Sequence, residues 1–558
     1  MLAAERRARL AALQKEYGAL YSQIDELQAQ ISQVQSLVEQ KKREMAPLAP
    51  VYTLPEDVVA EILKFAYLHH FPYCRLDDGL PHTNSPVAIS HVSRWWRRQA
   101  ISLPSIWSCI HVTPEQPSHY AEVLKTYLIR SRSLPLSISF LCFARDDSAT
   151  AGYIVPQLEW SSFATSTWRR FKASWRYLMA EKYRWKNAHI TLWHDESAAT
   201  ILRSLTGKFP QLQFLGISLG CDDGSLPSIT TIDPREVIAP LLTHVRLDRL
   251  SQRIKKPSRS LFGHLTELNL NGLSCTIREL MAVLAMTKDT LKYFALVEAY
   301  ITVTPGGATA FTSSTLPNLT LPKLKYLLLD EINDQHDQHD QATFTIICRA
   351  AVALETLISS NTTILDDISQ GRVTLPTVRH LVVSYGWGAE EADIMAIILA
   401  TPSLETLQTQ AIQNISTWLD LAVDMHTAGH GIAWPNLRSL TMTMVVPTSL
   451  RAFVQHRTQI KKPLKDLVLP DHLVDSLSQA DQAAFRELKL NLVKLSEAPP
   501  EIRAHNDWAD TWWDEEVDKP RFEPWNGSLA FEDQWGPPKV ASDVESDESD
   551  ESDDEVSE

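Results

Sequence analysis

Apolar residues in the first 45 positions fall at Leu10, Leu13, Tyr17, Leu20, Ile24, Leu27, Ile31, Val34 and Val38. The steps alternate three and four without a break, which keeps one stripe on a single side of a slightly underwound helix. A coiled-coil helix over residues 1–45 is therefore expected, flanked mostly by Gln14, Gln23, Gln28, Gln30 and Gln35, which steer partner choice weakly. Its partner is a second copy of the chain, giving a homodimer, or alternatively the helices that follow it in the same chain. A second helical pattern begins after Pro55, with Val58, Val59, Ile62, Leu63 and Ala66 on one apolar face. Thr53 and Glu56 have the spacing of a capping box, and Pro55 sits in the first turn, where its missing N–H costs nothing. A third pattern puts Ile89, Val92, Trp96 and Ala100 on one stripe, with Arg94, Arg97 and Arg98 outside it.

From residue 212 the periodicity changes. The unit L-x-x-L-x-L begins at residues 212, 242, 265, 291, 324, 354, 378, 404, 437 and 464, at intervals of 23 to 33 residues with a mean of 28. One strand followed by one returning helix fills that length, which predicts a leucine-rich-repeat solenoid over 113–500. Prolines 210, 240, 322, 376, 402, 435 and 463 stand just before these units and end the preceding helix. TIRELMAVLAM and EADIMAIILAT are apolar at helical spacing and supply returning helices, and earlier strands are expected at Ile106–Val112, Leu136–Phe140 and Ala188–Trp193. The asparagine usual at the ninth position of such units is missing; Leu273, Ile332 and Val445 stand there. The turn after each strand must then be held in some other way.

The ordered string LPEDVVAEIL (54–63) and ISHVSRWWRRQAISLPSIW (89–107) resembles the F-box, and a domain over 50–112 is assigned to it. The insertion HHFPYCRLDDGLPHTNSP (69–86) is similar to that of the divergent F-box-like domains numerous in mushroom-forming fungi. The resemblance implies a helical module that docks onto a Skp-type adaptor of a cullin–RING ubiquitin ligase. By position, it implies adaptor contacts at Leu54, Pro55, Val58 and Ile62, a buried tryptophan at Trp96, and a closing segment at Leu103, Pro104 and Trp107. It further implies a substrate-recognition subunit that holds no catalytic residues and no cofactor. A helical cap on the repeat array, without adaptor binding, is the alternative for 54–112, and a non-ligase dimeric repeat scaffold is the alternative function.

Composition narrows the choice further. The formal charge of −15 is concentrated in 542–558, which hold ten acidic residues, so the remainder is close to balanced at −5. Nucleic-acid binding is not expected. No stretch of about eighteen apolar residues occurs, so no membrane span is expected, and MLAAERRARLAALQKEY is too charged for a secretion signal. The six cysteines stand singly, without a C-x-x-C pair, as suits a reducing cytoplasm or nucleus. Phosphate-loop, dinucleotide, nucleophile-elbow and zincin motifs are all missing. The run Asn333–Asp340 alternates His and Asp, but a hydrophilic loop explains it better than a metal site, and the basic cluster 253–259 reads as a solvated loop rather than an import signal.

In L-x-x-L-x-L the leucines face the core, so the third, fifth and seventh residues point to the opposite, concave face. Mid-array these are Tyr293, Ala295, Val297, Tyr326, Leu328, Thr356, Ile358, His380 and Val382. An outward face this apolar marks a partner site or a covered surface. Tyr293, Val297, Tyr326, Leu328, Ile358, His380 and Val382 are the expected contacts for an unidentified protein substrate. Polar residues on either side, from His244, Arg246, Asp248, Glu267, Asn269 and Asn271 to Gln408, Gln410, Thr441 and Thr443, are expected to set register. The covering alternative is the acidic segment 501–540, whose Trp508, Trp512, Trp513, Trp525 and Trp535 need burial. Residues 541–558 are too polar to fold. They serve either as a solubilising tail, with Ser542 and Ser552 placed for acidophilic kinases, or as a binder of basic proteins.

Overall fold

The structure is a computed structural model. It describes residues 2–45, 54–68, 86–112, 120–142, 171–192, 195–219, 237–248, 259–302, 319–330, 340–359, 367–368, 370–383, 391–409, 415–443 and 447–498. The chain divides into two units, Met1–Ala498 and Pro499–Glu558, and every described residue lies in the first. The tryptophan-rich segment, the acidic tail, the 69–85 insertion, Thr53, the basic residues 253–258 and residues 333–339 lie outside the described residues.

Among the described residues fourteen strands form one parallel sheet in strict chain order. They are Cys109–Val112, Leu136–Cys142, Trp185–Leu192, Phe214–Leu219, His244–Asp248, Glu267–Asn271, Tyr293–Val297, Tyr326–Asp330, Thr356–Ser359, His380–Val383, Thr406–Thr409, Ser439–Met442, Asp466–Leu469 and Asn491–Lys494. Helices return the chain between them, among them Tyr120–Arg130, Ile277–Thr287, Asp340–Ala350, Glu391–Ala400, Ile415–Thr427 and Pro447–Gln459. The fold is thus α/β, a solenoid in which each strand pairs with its neighbours in the sequence.

All ten units found in the sequence start a strand two residues after their first apolar position, from Phe214 after Leu212 to Asp466 after Leu464. Their first, fourth and sixth residues are buried throughout; Leu265, Leu268 and Leu270, and Leu324, Leu327 and Leu329, are examples. Ser359 and Thr409 take the sixth position in two units and are buried as well. The repeat is stitched at its second residue. The carbonyl there (Gln213, Thr243, Thr266, Lys292, Lys325, Glu355, Arg379, Glu405, Arg438 or Lys465) accepts one or both of the entry N–H groups of the next strand, at 2.7–3.2 Å. The backbone donors at the entry of each of these strands are paired in this way. The returning helix Ile277–Thr287 starts as its sequence dictates, with Thr276 and Glu279 forming a reciprocal capping box.

Three sequence expectations shift, the first being the strand expected at Ala188–Trp193, which runs from Trp185 to Leu192. Residues 104–107 form a helical turn, so the first strand starts at Cys109 and not at Ile106. A further repeat, ending in strand Asn491–Lys494, was not anticipated because its apolar positions, Leu488, Leu490 and Leu492, alternate without the leading leucine.

The missing asparagine is replaced locally by backbone. Gly272 and Glu298 occupy equivalent positions just past two adjacent strands, and both take left-handed φ values, 58° and 48°. Their N–H groups donate to Val297 O and Asp330 O at 2.9 and 3.0 Å, bonding each turn to the next unit. The chain then enters a second, two-stranded parallel pair, Ser274–Thr276 with Tyr300–Thr302, while Leu273 is buried.

Candidate functional site

Two surfaces carry the candidate residues. The first is at the N-terminal end of the array. Pro55 opens the helix Glu56–Leu68, and its carbonyl accepts from Val59 N at 3.1 Å. The apolar residues of this helix divide between two faces. Val59 and Leu63 are buried, whereas Val58, Ile62 and Phe65 are 40, 44 and 68 % exposed. Residues 58, 62 and 65 are spaced four and three apart, so they form one outward stripe. Leu54 is half-buried and Pro55 exposed at its head. The expectation of a single apolar face from Val58 to Ala66 is therefore corrected: a helix on the rim of a domain has room for only one buried row, and Val59 and Leu63 fill it while Val58 and Ile62 face outward.

The helix is held from behind by Arg94–Ser102 and Pro104–Trp107. Gln99 Nε2 donates to Glu56 Oε1 at 3.1 Å, so the Glu56 carboxylate braces a neighbouring helix. Ser93 caps Arg94–Ser102 by accepting from Trp96 N, and Arg97 Nε donates to Ser90 O. The buried tryptophan is Trp107 rather than Trp96, which is only half-buried and lies edge-on to Trp95. Trp107 Nε1 donates to Ala100 O at 2.7 Å, its ring meets Tyr127, and the Arg130 guanidinium lies 4.4 Å from the ring centre. Of the residues expected on one stripe, Val92 is exposed and Ala100 is buried.

The second surface is the outward face of the sheet. The parallel register aligns the predicted residues in rows. Tyr293, Tyr326, Thr356 and His380 follow one another in the first, and Ala295, Leu328, Ile358 and Val382 in the second. All seven predicted substrate contacts thus share one face. They are less open than a bare concave surface: Ala295, Val297, Leu328, Ile358 and Val382 are at most 8 % exposed. Tyr293 and Tyr326 are partly buried, and their rings stack with centroids 4.2 Å apart and planes 10° apart. Burial, followed by the other phenol and its hydrogen bond, raises the Tyr293 hydroxyl above the ordinary tyrosine range; burial also raises Tyr326. Both remain neutral at physiological pH. Burial lowers His380, whose Nδ1 lies 2.7 Å from Thr406 Oγ1, below the usual imidazole value.

Toward the N-terminal end the same face turns polar. Ser218 Oγ donates to Asp248 Oδ2 at 2.6 Å, and Arg246 Nε donates to the same carboxylate at 2.9 Å. His189 lies in the same row as Arg246, and burial lowers its pKa to about 4. Thr191 and Asn271 complete the neighbouring row, and the side-chain oxygens of Thr191, Asn269 and Asn271 and the Nε2 of His189 are buried without a hydrogen-bond partner. The repeat spacing found Arg246, Asp248, Asn269 and Asn271; His189, Thr191 and Ser218 were missed, because the third strand lacks the leading leucine and the outward positions were read only from the unit at residue 242 onward. At the other end Gln408 and Thr441 continue the second row and are buried, while Gln410 lies outside the described residues.

Among the described residues no three His, Cys, Asp or Glu side chains are placed to hold a metal ion, and no helix is long and apolar enough to cross a membrane. Cys109, Cys275 and Cys348 are buried, and burial pushes the Cys275 thiol up to about 12.

No family model matches the chain, and no curated protein matches it. Among solved structures, a chain from the crystal structure of the Rad7 and Elc1 complex in yeast is similar at 10 % identity, covering 72 % of this chain and 94 % of that one, with a TM-score of 0.30. A likeness at that level carries no argument about function.

Proposed function

We propose that this chain is the substrate-recognition subunit of a Skp adaptor–cullin–F-box ubiquitin ligase. In this reading residues 50–112 are an F-box-like domain, 113–500 a leucine-rich-repeat solenoid, and ubiquitin transfer takes place on other subunits in the cytoplasm or nucleus. The observation that supports it most is the outward stripe Val58, Ile62 and Phe65 with Leu54 and Pro55 at its head, on a helix fixed to the end of the array. Exposed apolar side chains in a row fit a helical partner that lays its own apolar face across them. The protein substrate takes the outward sheet face, with Tyr293, Val297, Tyr326, Leu328, Ile358, His380 and Val382 as its contacts and the polar rows on either side setting register.

The test is co-purification with a Skp-type adaptor. The intact chain should capture it, and the Leu54→Ala/Pro55→Ala double variant should not. An intact chain that fails to capture the adaptor would refute the reading. A dimeric repeat scaffold without ligase function is the second reading, favoured by the exposed apolar stripe of the first helix.

A further inference from the structure

The helix Leu2–Met45 carries its apolar stripe in the open. Leu10, Leu13, Tyr17, Leu20, Ile24, Leu27, Ile31, Val34 and Val38 are each 47 to 63 % exposed, so the other described residues leave this stripe uncovered. With Leu10 at heptad position a, the a sites are Leu10, Tyr17, Ile24, Ile31 and Val38, and the d sites are Leu13, Leu20, Leu27 and Val34. From residue 20 to 31 the arrangement is Leu at d and Ile at a, the combination that favours two parallel strands over three or four.

The flanks point the same way. In a parallel pair each g residue faces the e residue five positions on in the partner helix. The pairs formed with a second copy are Arg9 with Gln14, Glu16 with Tyr21, Gln23 with Gln28, and Gln30 with Gln35. None sets like charges against each other, so a copy of the same helix meets no repulsion, and none carries the opposite charges that would select a different helix. The area is sufficient too. Nine half-exposed side chains on each of two helices, at about 100 Å² apiece, amount to roughly 1,800 Å², within the range of stable protein interfaces.

We propose that the helix Leu2–Met45 pairs in parallel and in register with the same helix of a second copy, making the protein a two-stranded dimer. The helix is about 66 Å long at 1.5 Å per residue, so the pair forms a rod with both repeat arrays at the same end. Two outward sheet faces would then be offered together, and a partner with two binding segments gains from the second contact without any new chemistry. This pairing stands whether or not the chain captures an adaptor.

The experiment uses the purified full chain alone. Sedimentation equilibrium should return twice the 63.0 kDa chain mass at micromolar concentration. The Leu20→Asp/Leu27→Asp variant should return the single-chain mass with an unchanged unfolding midpoint of the repeat array. A Val38→Cys variant should form a crosslink through residue 38, mapped by mass spectrometry, because position a residues face each other only in a parallel pair. A monomeric intact chain, a trimer or larger species, a variant that keeps the dimer mass, or a dimer without the residue 38 crosslink would each overturn the proposal. Adaptor capture by the monomeric variant is read separately and tests only the ligase reading.

Discussion

Tyr293 and Tyr326 sit opposite each other on adjacent parallel strands, and their rings stack at 4.2 Å with planes 10° apart. They begin the outward row in the middle of the array, beside the buried aliphatic row of Ala295, Leu328 and Ile358. A stacked aromatic pair contributes about 1 kcal/mol beyond the area that it buries. A double-mutant cycle with Tyr293→Leu and Tyr326→Leu should show a coupling of about that size in urea unfolding. Because both hydroxyl pKa values are raised, their contribution is whole below pH 10 and is lost as pH rises further, so the coupling should be flat from pH 6 to 9. A coupling near zero would show that the rings do not support each other.

The two faces of the helix Glu56–Leu68 should respond oppositely to charge. Val58→Asp and Ile62→Asp change exposed positions and should move stability by less than about 0.5 kcal/mol while abolishing adaptor capture. Val59→Asp puts an unpaired carboxylate in the core and should cost about 3 kcal/mol or more. Thermal melts and adaptor pull-downs on the same three proteins separate the effects. Equal destabilisation by all three would contradict the placement of the outward stripe.

A single guanidinium holds the turn before the twelfth strand. Arg457 is buried and donates from Nη1 to Ala433 O and Trp434 O, at 3.1 and 2.8 Å, and from Nη2 to Leu437 O at 2.8 Å. Trp434 itself has a left-handed φ of 45° and donates from Nε1 to Thr401 Oγ1. Arg457→Met keeps the volume but leaves three buried carbonyls without these donors, at a cost of about 3 kcal/mol. Denaturant unfolding of the variant checks this figure; a loss under about 1 kcal/mol would mean that water replaces the guanidinium.

His189 gives the polar rows a pH signature. Its pKa is lowered to about 4, first by burial and then by Arg246, with Asp248 acting in the opposite sense. A depressed histidine contributes stability that is present above its unfolded value of about 6.5 and is lost as pH falls through the folded value. The intact chain should therefore lose about 3 kcal/mol between pH 6.5 and 4 beyond what a His189→Phe variant loses. Parallel pH profiles for the two proteins would show that His189 is open to solvent.

What the sequence determines about this protein is its period. Leucine two residues before a strand, apolar residues at the fourth and sixth positions and a proline ahead of them are local patterns. A parallel ladder repeats its hydrogen bonds from unit to unit, so a local pattern is enough to place ten of the fourteen strands. The stripe of the first helix is legible for the same reason, since a heptad is a property of one segment. What is decided only in three dimensions is which side of an apolar pattern is buried. Val58 and Val59 are chemically identical and adjacent, and only the packing of Arg94–Ser102 and Pro104–Trp107 turns Val59 inward and leaves Val58 exposed. Trp96 and Trp107 are likewise indistinguishable by type, and it is the carbonyl of Ala100 and the ring of Tyr127 that make Trp107 the buried one. The outward sheet face is readable as a row of residues, whereas its depth depends on what surrounds each row. The turn that replaces the missing asparagine belongs to the tertiary structure as well, because Gly272 and Glu298 bond to carbonyls of the next unit, some 25 to 32 residues further along the chain.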